Sequence, residues 1–235
     1  MKEKFDELVS RLKRSHGEEL ISVILHGSAV VLGNAVRPSD YRVMVVTSTL
    51  NADALRRTQE AARWWAEEGF LLPVYFTLGE FNASLDVFPV EFRQMKRAYR
   101  VLYGKDILQG AEISGASLRW QIEHELRGKM LRLRALYLPL SESSVGMMKL
   151  MTDSVVSFVQ LLRPLIELLG GPAPLERQEV IEQAGERLNI DTAPLQRVLK
   201  LRNEPTQLME LEVQDLFSDY LNCLSQIIAA VDKHR

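Results

Sequence analysis

Four residues in the first quarter of the chain have types and spacing that suit phosphate chemistry. They are Gly27, Ser28, Asp40 and Arg42, within the stretch ILHGSAVVLGNAVRPSDYRVMVV (residues 24–46). An apolar run ends at Gly27-Ser28. Glycine permits a backbone turn that a side chain would block, and a serine hydroxyl with neighbouring N–H groups can then face a phosphate. A loop of turn-forming residues follows, and Ser39-Asp40 leads into a second apolar run. If Asp40 opens that strand, residues 40 and 42 face the same way. Two acids there would bridge two divalent cations for in-line transfer. This chain offers one acid and an arginine.

Elements must hold these groups in place. Phe5, Leu8, Val9 and Leu12 follow helical spacing, and Gly17 is placed to end the helix. LISVILH (residues 20–26) is short, β-branched and apolar, as a buried strand is. YRVMVVT (41–47) is the second strand. Residues 51–69 form a helix, with Asn51 as N-cap and Gly69 as stop. LLPVYFT (71–77) is a third strand, its proline at the start or on an edge. PVEF (89–92) and YRVLYG (99–104) are shorter strand candidates.

Beyond residue 115 the pattern turns helical. Residues 117–140 and 143–171 read as long helices, the second apolar on most faces and broken or kinked at Pro164. GGPAP is a loop, and three further helices follow. The expected architecture is α+β: a mixed sheet with flanking helices over residues 1–110, then an all-α antiparallel bundle over 115–235.

The spacing resembles the DNA polymerase β-like nucleotidyltransferase superfamily. There, an apolar strand leads to Gly-Ser, a loop of about ten residues, and Asp-x-Asp or Asp-x-Glu on the next strand. Here Gly27-Ser28 is followed by Ser39-Asp40-Tyr41-Arg42. The likeness covers roughly residues 20–108 and extends to the Leu-Tyr-Gly-Lys-Asp element at 102–106. A helical domain after such a domain is similar to aminoglycoside nucleotidyltransferases. The resemblance implies a phosphate or nucleotide site at Gly27, Ser28 and Ser39, and the guanidinium of Arg42 could grip a phosphate beside them. It implies catalytic and metal-binding acids at Asp40 and, on a later strand, Glu91, with Asp86 as the alternative. Magnesium would be the cofactor of an active enzyme; an inactive one would need none.

Two departures alter that chemistry. Arg42 stands where the second acid belongs, and the loop after Ser28 reads AVVLG, without the arginines usual there. A site of Asp40, Glu91 and Arg42 sums to about −1, against about −3 for three acids. Arginine stays protonated. At ~4 Å and an effective dielectric of ~20, one like-charge pair costs about 4 kcal/mol, about three decades in affinity. The expectation is a degenerate nucleotidyltransferase that binds a nucleotide or partner without two-metal transfer. Two alternatives stay open. One is an active magnesium-dependent enzyme adenylylating a small hydroxylated molecule. The other is a non-enzymatic, antitoxin-like or regulatory interaction protein.

The 235 residues carry a formal charge of −2, with 46% hydrophobic and 26% charged residues. That suits a folded core and gives no global basic field for nucleic acid or anionic membrane. A nucleoside triphosphate, a small molecule or a protein are the expected partners, nucleic acid is not, and a homodimer is compatible with the helical half. Cys223 is the sole cysteine, which fits a reducing, cytoplasmic compartment. No apolar run approaches the ~20 residues of a membrane span. Four other features carry a structural and a functional reading: a basic stretch with Arg93, Lys96, Arg97, Arg100 and Lys105; His26 at a strand end; the pair Trp64-Trp65; and Met147, Met148 and Met151 on the apolar helix. The first could bind phosphates or form a solvated face. His26 could meet a ligand or be a hydrogen-bonded core residue.

Overall fold

The computed structural model describes residues 1–27, 30 and 38–234, without the side chain of Ser39. Ser28 therefore lies outside the described residues. The chain forms two compact units, residues 1–114 and 115–235.

In the first unit, helix α1 (Lys2–His16) ends at Gly17, whose φ of 55° suits a residue without Cβ. Strands β1 (Leu20–His26), β2 (Arg42–Thr47), β3 (Val74–Thr77) and β4 (Tyr99–Gly104) form one mixed sheet in the order β3-β2-β1-β4. β1 lies antiparallel to both β2 and β4, and β2 runs parallel to the edge strand β3. Pro73 precedes that edge strand, where no ladder bond needs its missing N–H.

Both faces of the two central strands are buried, which explains their continuous apolar runs. On one face Val23, Leu25, Val43 and Val45 pack with Phe5, Leu8 and Leu12 of α1 and with Trp65. On the other, Ile24, Met44 and Val46 pack with Phe81, Phe92 and Leu108. The alternation follows from the period of two along a strand.

The expected helix over 51–69 is two helices, α2 (Ala52–Arg57) and α3 (Gln59–Glu67). Asn51 caps the first by accepting from the Ala54 N–H at 2.9 Å. Between the two, the Thr58 hydroxyl donates to the Ala54 carbonyl at 2.8 Å, the local side-chain bonding that interrupts helices. A capping box of Thr77 and Glu80 opens α4 (Leu78–Ala83).

PVEF is not a strand. It is the first turn of α5 (Pro89–Arg97), with Pro89 in the opening position that proline favours. Val90 and Phe92 are buried and Glu91 is exposed, so the alternation in these three residues mimicked a strand. Helix α5 continues because Phe92 reaches the sheet core and Met95, one turn on, packs beside it.

The second unit contains, among the described residues, α6 (Gly115–Tyr137), α7 (Ser144–Leu168), α8 (Arg177–Leu188), α9 (Ala193–Asn203) and α10 (Glu210–Lys233). Pro164 lies inside α7 rather than ending it. Helix α7 packs against all four others, which accounts for its apolar character. By length and composition it could also cross a membrane, a test that buried core helices pass as well, although its continuous apolar runs are short. Met147 and Met151 are buried core residues.

Candidate functional site at the end of the central strands

Strand β1 runs out at His26, and Gly27 follows with φ 110°. At that end of the sheet His26 pairs directly with Arg42 of β2 on one side and with Tyr99 of β4 on the other. Directly opposed residues share a face. His26, Arg42 and Tyr99 therefore form a row on the face that carries Ile24 and Met44.

A β-bulge creates this row. Val23 pairs with Tyr103, but Ile24 pairs with Val101, so Leu102 is extra. Without the bulge, counting back along β4 would set Arg100 beside His26. With it, Tyr99 occupies that place and Arg100 turns to the opposite face, its guanidinium 5.5 Å from the Phe5 ring. The Tyr99 hydroxyl donates to Asp106 Oδ2 at 2.9 Å, which fixes the ring.

The glycine turn is held close to the acid and the arginine. A Cβ built on Gly27 would lie 3.0 Å from the Asp40 carbonyl oxygen and 3.8 Å from Arg42 Cγ. Asp40 ends a 3-10 turn, Pro38–Asp40, and β2 starts only at Arg42. The expectation that Asp40 opens the strand in phase with Arg42 thus does not hold. Asp40 is half-buried and Arg42 exposed.

His26 is 6% exposed, and its Nε2 has no hydrogen-bond partner among the described residues. Burial first, and the Arg42 guanidinium second, push its pKa down to about 4. The imidazole is consequently neutral near pH 7.

Of the acids that the resemblance implied, Glu91 is exposed on the first turn of α5 and Asp86 is exposed in the turn before it. Neither sits on a strand. No three His, Cys, Asp or Glu side chains gather into a metal-holding group among the described residues. The site brings Gly27, Asp40 and Arg42 together; Ser28 and the Ser39 side chain lie outside the description. Sequence reasoning missed Tyr99, because the bulge leaves no mark in the residue pattern.

Several of the other candidates have partners among the described residues. Lys96 Nζ donates to the Ala111 carbonyl at 2.6 Å and so ties α5 to the following segment. The Lys105 N–H donates to the Ile21 carbonyl at 3.1 Å, and the Lys105 carbonyl accepts from Ser22 at 2.7 Å. Trp65 is fully buried and stacked on Phe70 at 3.7 Å, while half-buried Trp64 lies under the Arg11 guanidinium at 4.6 Å.

No family model and no curated protein matches the sequence. Among solved structures the chain is similar to the spectinomycin adenyltransferase AAD(9) from Enterococcus faecialis, solved with ATP and spectinomycin. The TM-score is 0.56 at 15% identity, over 96% of this chain and 99% of that chain. The fold is accordingly nucleotidyltransferase-like: a mixed four-stranded sheet with flanking helices, followed by a helical region.

Proposed function

We propose that this protein binds the phosphates of a nucleotide at the His26–Gly27–Arg42 end of the sheet and does not carry out two-metal nucleotidyl transfer. The observation that carries this reading is Arg42. It starts β2 directly beside His26 and packs against the Gly27 turn, where the resemblance expects a carboxylate. A guanidinium is a permanent cation with a forked donor set that matches phosphate oxygens. It cannot ligate magnesium, and it repels magnesium held nearby. Asp40 and Glu91, the acids that would hold a metal, do not by themselves make a two-magnesium centre. In this reading Arg42 supplies the positive charge that a metal supplies elsewhere, and the turn at Gly27, with Ser28 and Ser39, approaches the phosphate.

The test is calorimetric titration with ATP in EDTA and in magnesium. Binding should persist in EDTA, and Arg42→Asp should weaken it by roughly 10- to 100-fold, the loss of a charged hydrogen bond. Magnesium-dependent transfer of a nucleotidyl group by the purified protein, abolished by Asp40→Ala, would overturn the reading.

A second reading has its own support. The neighbour is an adenyltransferase, and the likeness runs the length of both chains. An active enzyme of this kind would adenylylate a small hydroxylated molecule, with one magnesium at Asp40 and Glu91 or Asp86. If ATP binds in neither condition, the site serves a partner protein instead.

A further inference from the structure

The ring Nε2 of His26, without a hydrogen-bond partner among the described residues, needs an explanation that packing does not supply. A buried polar atom without a hydrogen bond is costly, and native proteins rarely keep one unless a ligand or water satisfies it. The position is 6% exposed and lies in line with Ile24 on β1, so an apolar ring would fill it without that cost. Its neighbours across the sheet do not satisfy it. The Tyr99 hydroxyl is committed to Asp106 at 2.9 Å. Arg42 carries donors only, so a protonated Nε2 finds no acceptor there. What the pairing with Arg42 does create is two donors, one cationic and one neutral, side by side at the end of the sheet.

We infer that His26 Nε2 is a contact group for the bound anion, donating a hydrogen bond to a phosphate oxygen that the Arg42 guanidinium also holds. The inference rests on the phosphate-binding reading above and sharpens it. The site recognises a metal-free di- or triphosphate through an arginine–histidine pair. The ring is neutral near pH 7, with burial and Arg42 holding its pKa down. It therefore has one N–H to give, and the anion selects the tautomer that carries the proton on Nε2. Tyr99, held by Asp106, is the strand neighbour of His26 on the side away from Arg42. The residue's role is binding, not proton transfer, so no covalent step is involved.

The experiment measures the affinity of inorganic pyrophosphate and of ATP, both in EDTA, for the wild-type chain and for His26→Phe, His26→Gln and His26→Asn. The amide nitrogen of glutamine reaches about as far as Nε2, whereas that of asparagine reaches only about as far as Nδ1. The expected result is a loss of roughly tenfold for His26→Phe and His26→Asn, recovery to within about threefold for His26→Gln, and little change in Tm between the two amide variants. The glutamine–asparagine comparison keeps the test decisive even if the phenylalanine variant folds poorly. A second readout is the 15N resonance of His26 Nε2, which should move towards the protonated position when pyrophosphate is added. Equal affinities in all four proteins, with Arg42→Asp still defective, overturn the role of His26 alone. No binding of either anion by the wild-type chain overturns the phosphate-site reading and the role of His26 with it.

Discussion

At Gly27 the backbone runs at φ 110°, and a methyl group there would touch the Asp40 carbonyl oxygen at 3.0 Å. Gly27→Ala should therefore cost about 1–3 kcal/mol, read from urea unfolding, and should weaken nucleotide binding more than an equally destabilising core change. His26 gives a pH signature. Its pKa falls from 6.5 in the unfolded chain to about 4 in the folded one. Between those values the unfolded chain holds the extra proton, so stability is full above about pH 6.5 and declines towards pH 4. The loss from this residue is up to about 3 kcal/mol. Buried His16 also has a lowered pKa, through burial and then Arg57, and adds a loss in the same direction. His26→Gln should flatten its own share of the slope, as seen in Tm measured across pH 4–7, and leave that of His16.

Elements set which residues meet at the sheet end. The β4 bulge decides that a tyrosine, not an arginine, stands beside His26. The end of β4 is fixed by Gly104, whose φ is 79° and whose absent Cβ would lie 1.9 Å from the Ile21 carbonyl oxygen. Gly104→Ala should combine about 1–3 kcal/mol of backbone strain with about 1–3 kcal/mol of overpacking, and denaturant midpoints will show it. On the edge strand β3 the opposite holds. The Tyr75 hydroxyl is buried without a partner among the described residues, and the Tyr75 ring centroid lies 6.2 Å from that of His16. Tyr75→Phe removes an unsatisfied group, so calorimetry should find it neutral or stabilising by about 1 kcal/mol. The basic stretch at 93–105 illustrates the same scale. Its charges read as a patch in one dimension, yet Lys96 and Arg100 leave for different partners once α5 and the bulge are formed.

At the scale of the whole molecule, two units with separate cores divide the work. The sheet unit carries the row of His26, Arg42 and Tyr99, and the helical unit is built around α7. Tyr220 of α10 is fully buried, and its hydroxyl meets that of Ser154 on α7 at 3.0 Å. Tyr220→Phe leaves Ser154 with one bond fewer across these two helices and should destabilise the protein by about 1 kcal/mol, measured by urea titration of both forms. Arg202 is similarly employed. It donates to the Thr152 carbonyl at 2.6 Å and pairs with Asp153, so it joins α9 to α7.

The residues themselves determined much of this. Continuous apolar runs marked β1 and β2 as strands buried on both faces, because only such strands lack a polar side. Asn51, Gly17 and Gly69 marked helix ends through capping and positive φ. Other features belong to the tertiary structure. Three residues of alternating polarity at 90–92 fit a strand or a helical turn equally well, and only packing against the sheet core chose the helix. The bulge that sets Tyr99 against His26 arises from pairing between strands more than 70 residues apart in the chain. No local pattern encodes such a register, because a one-residue shift changes which side chains meet while leaving the sequence of β4 unaltered.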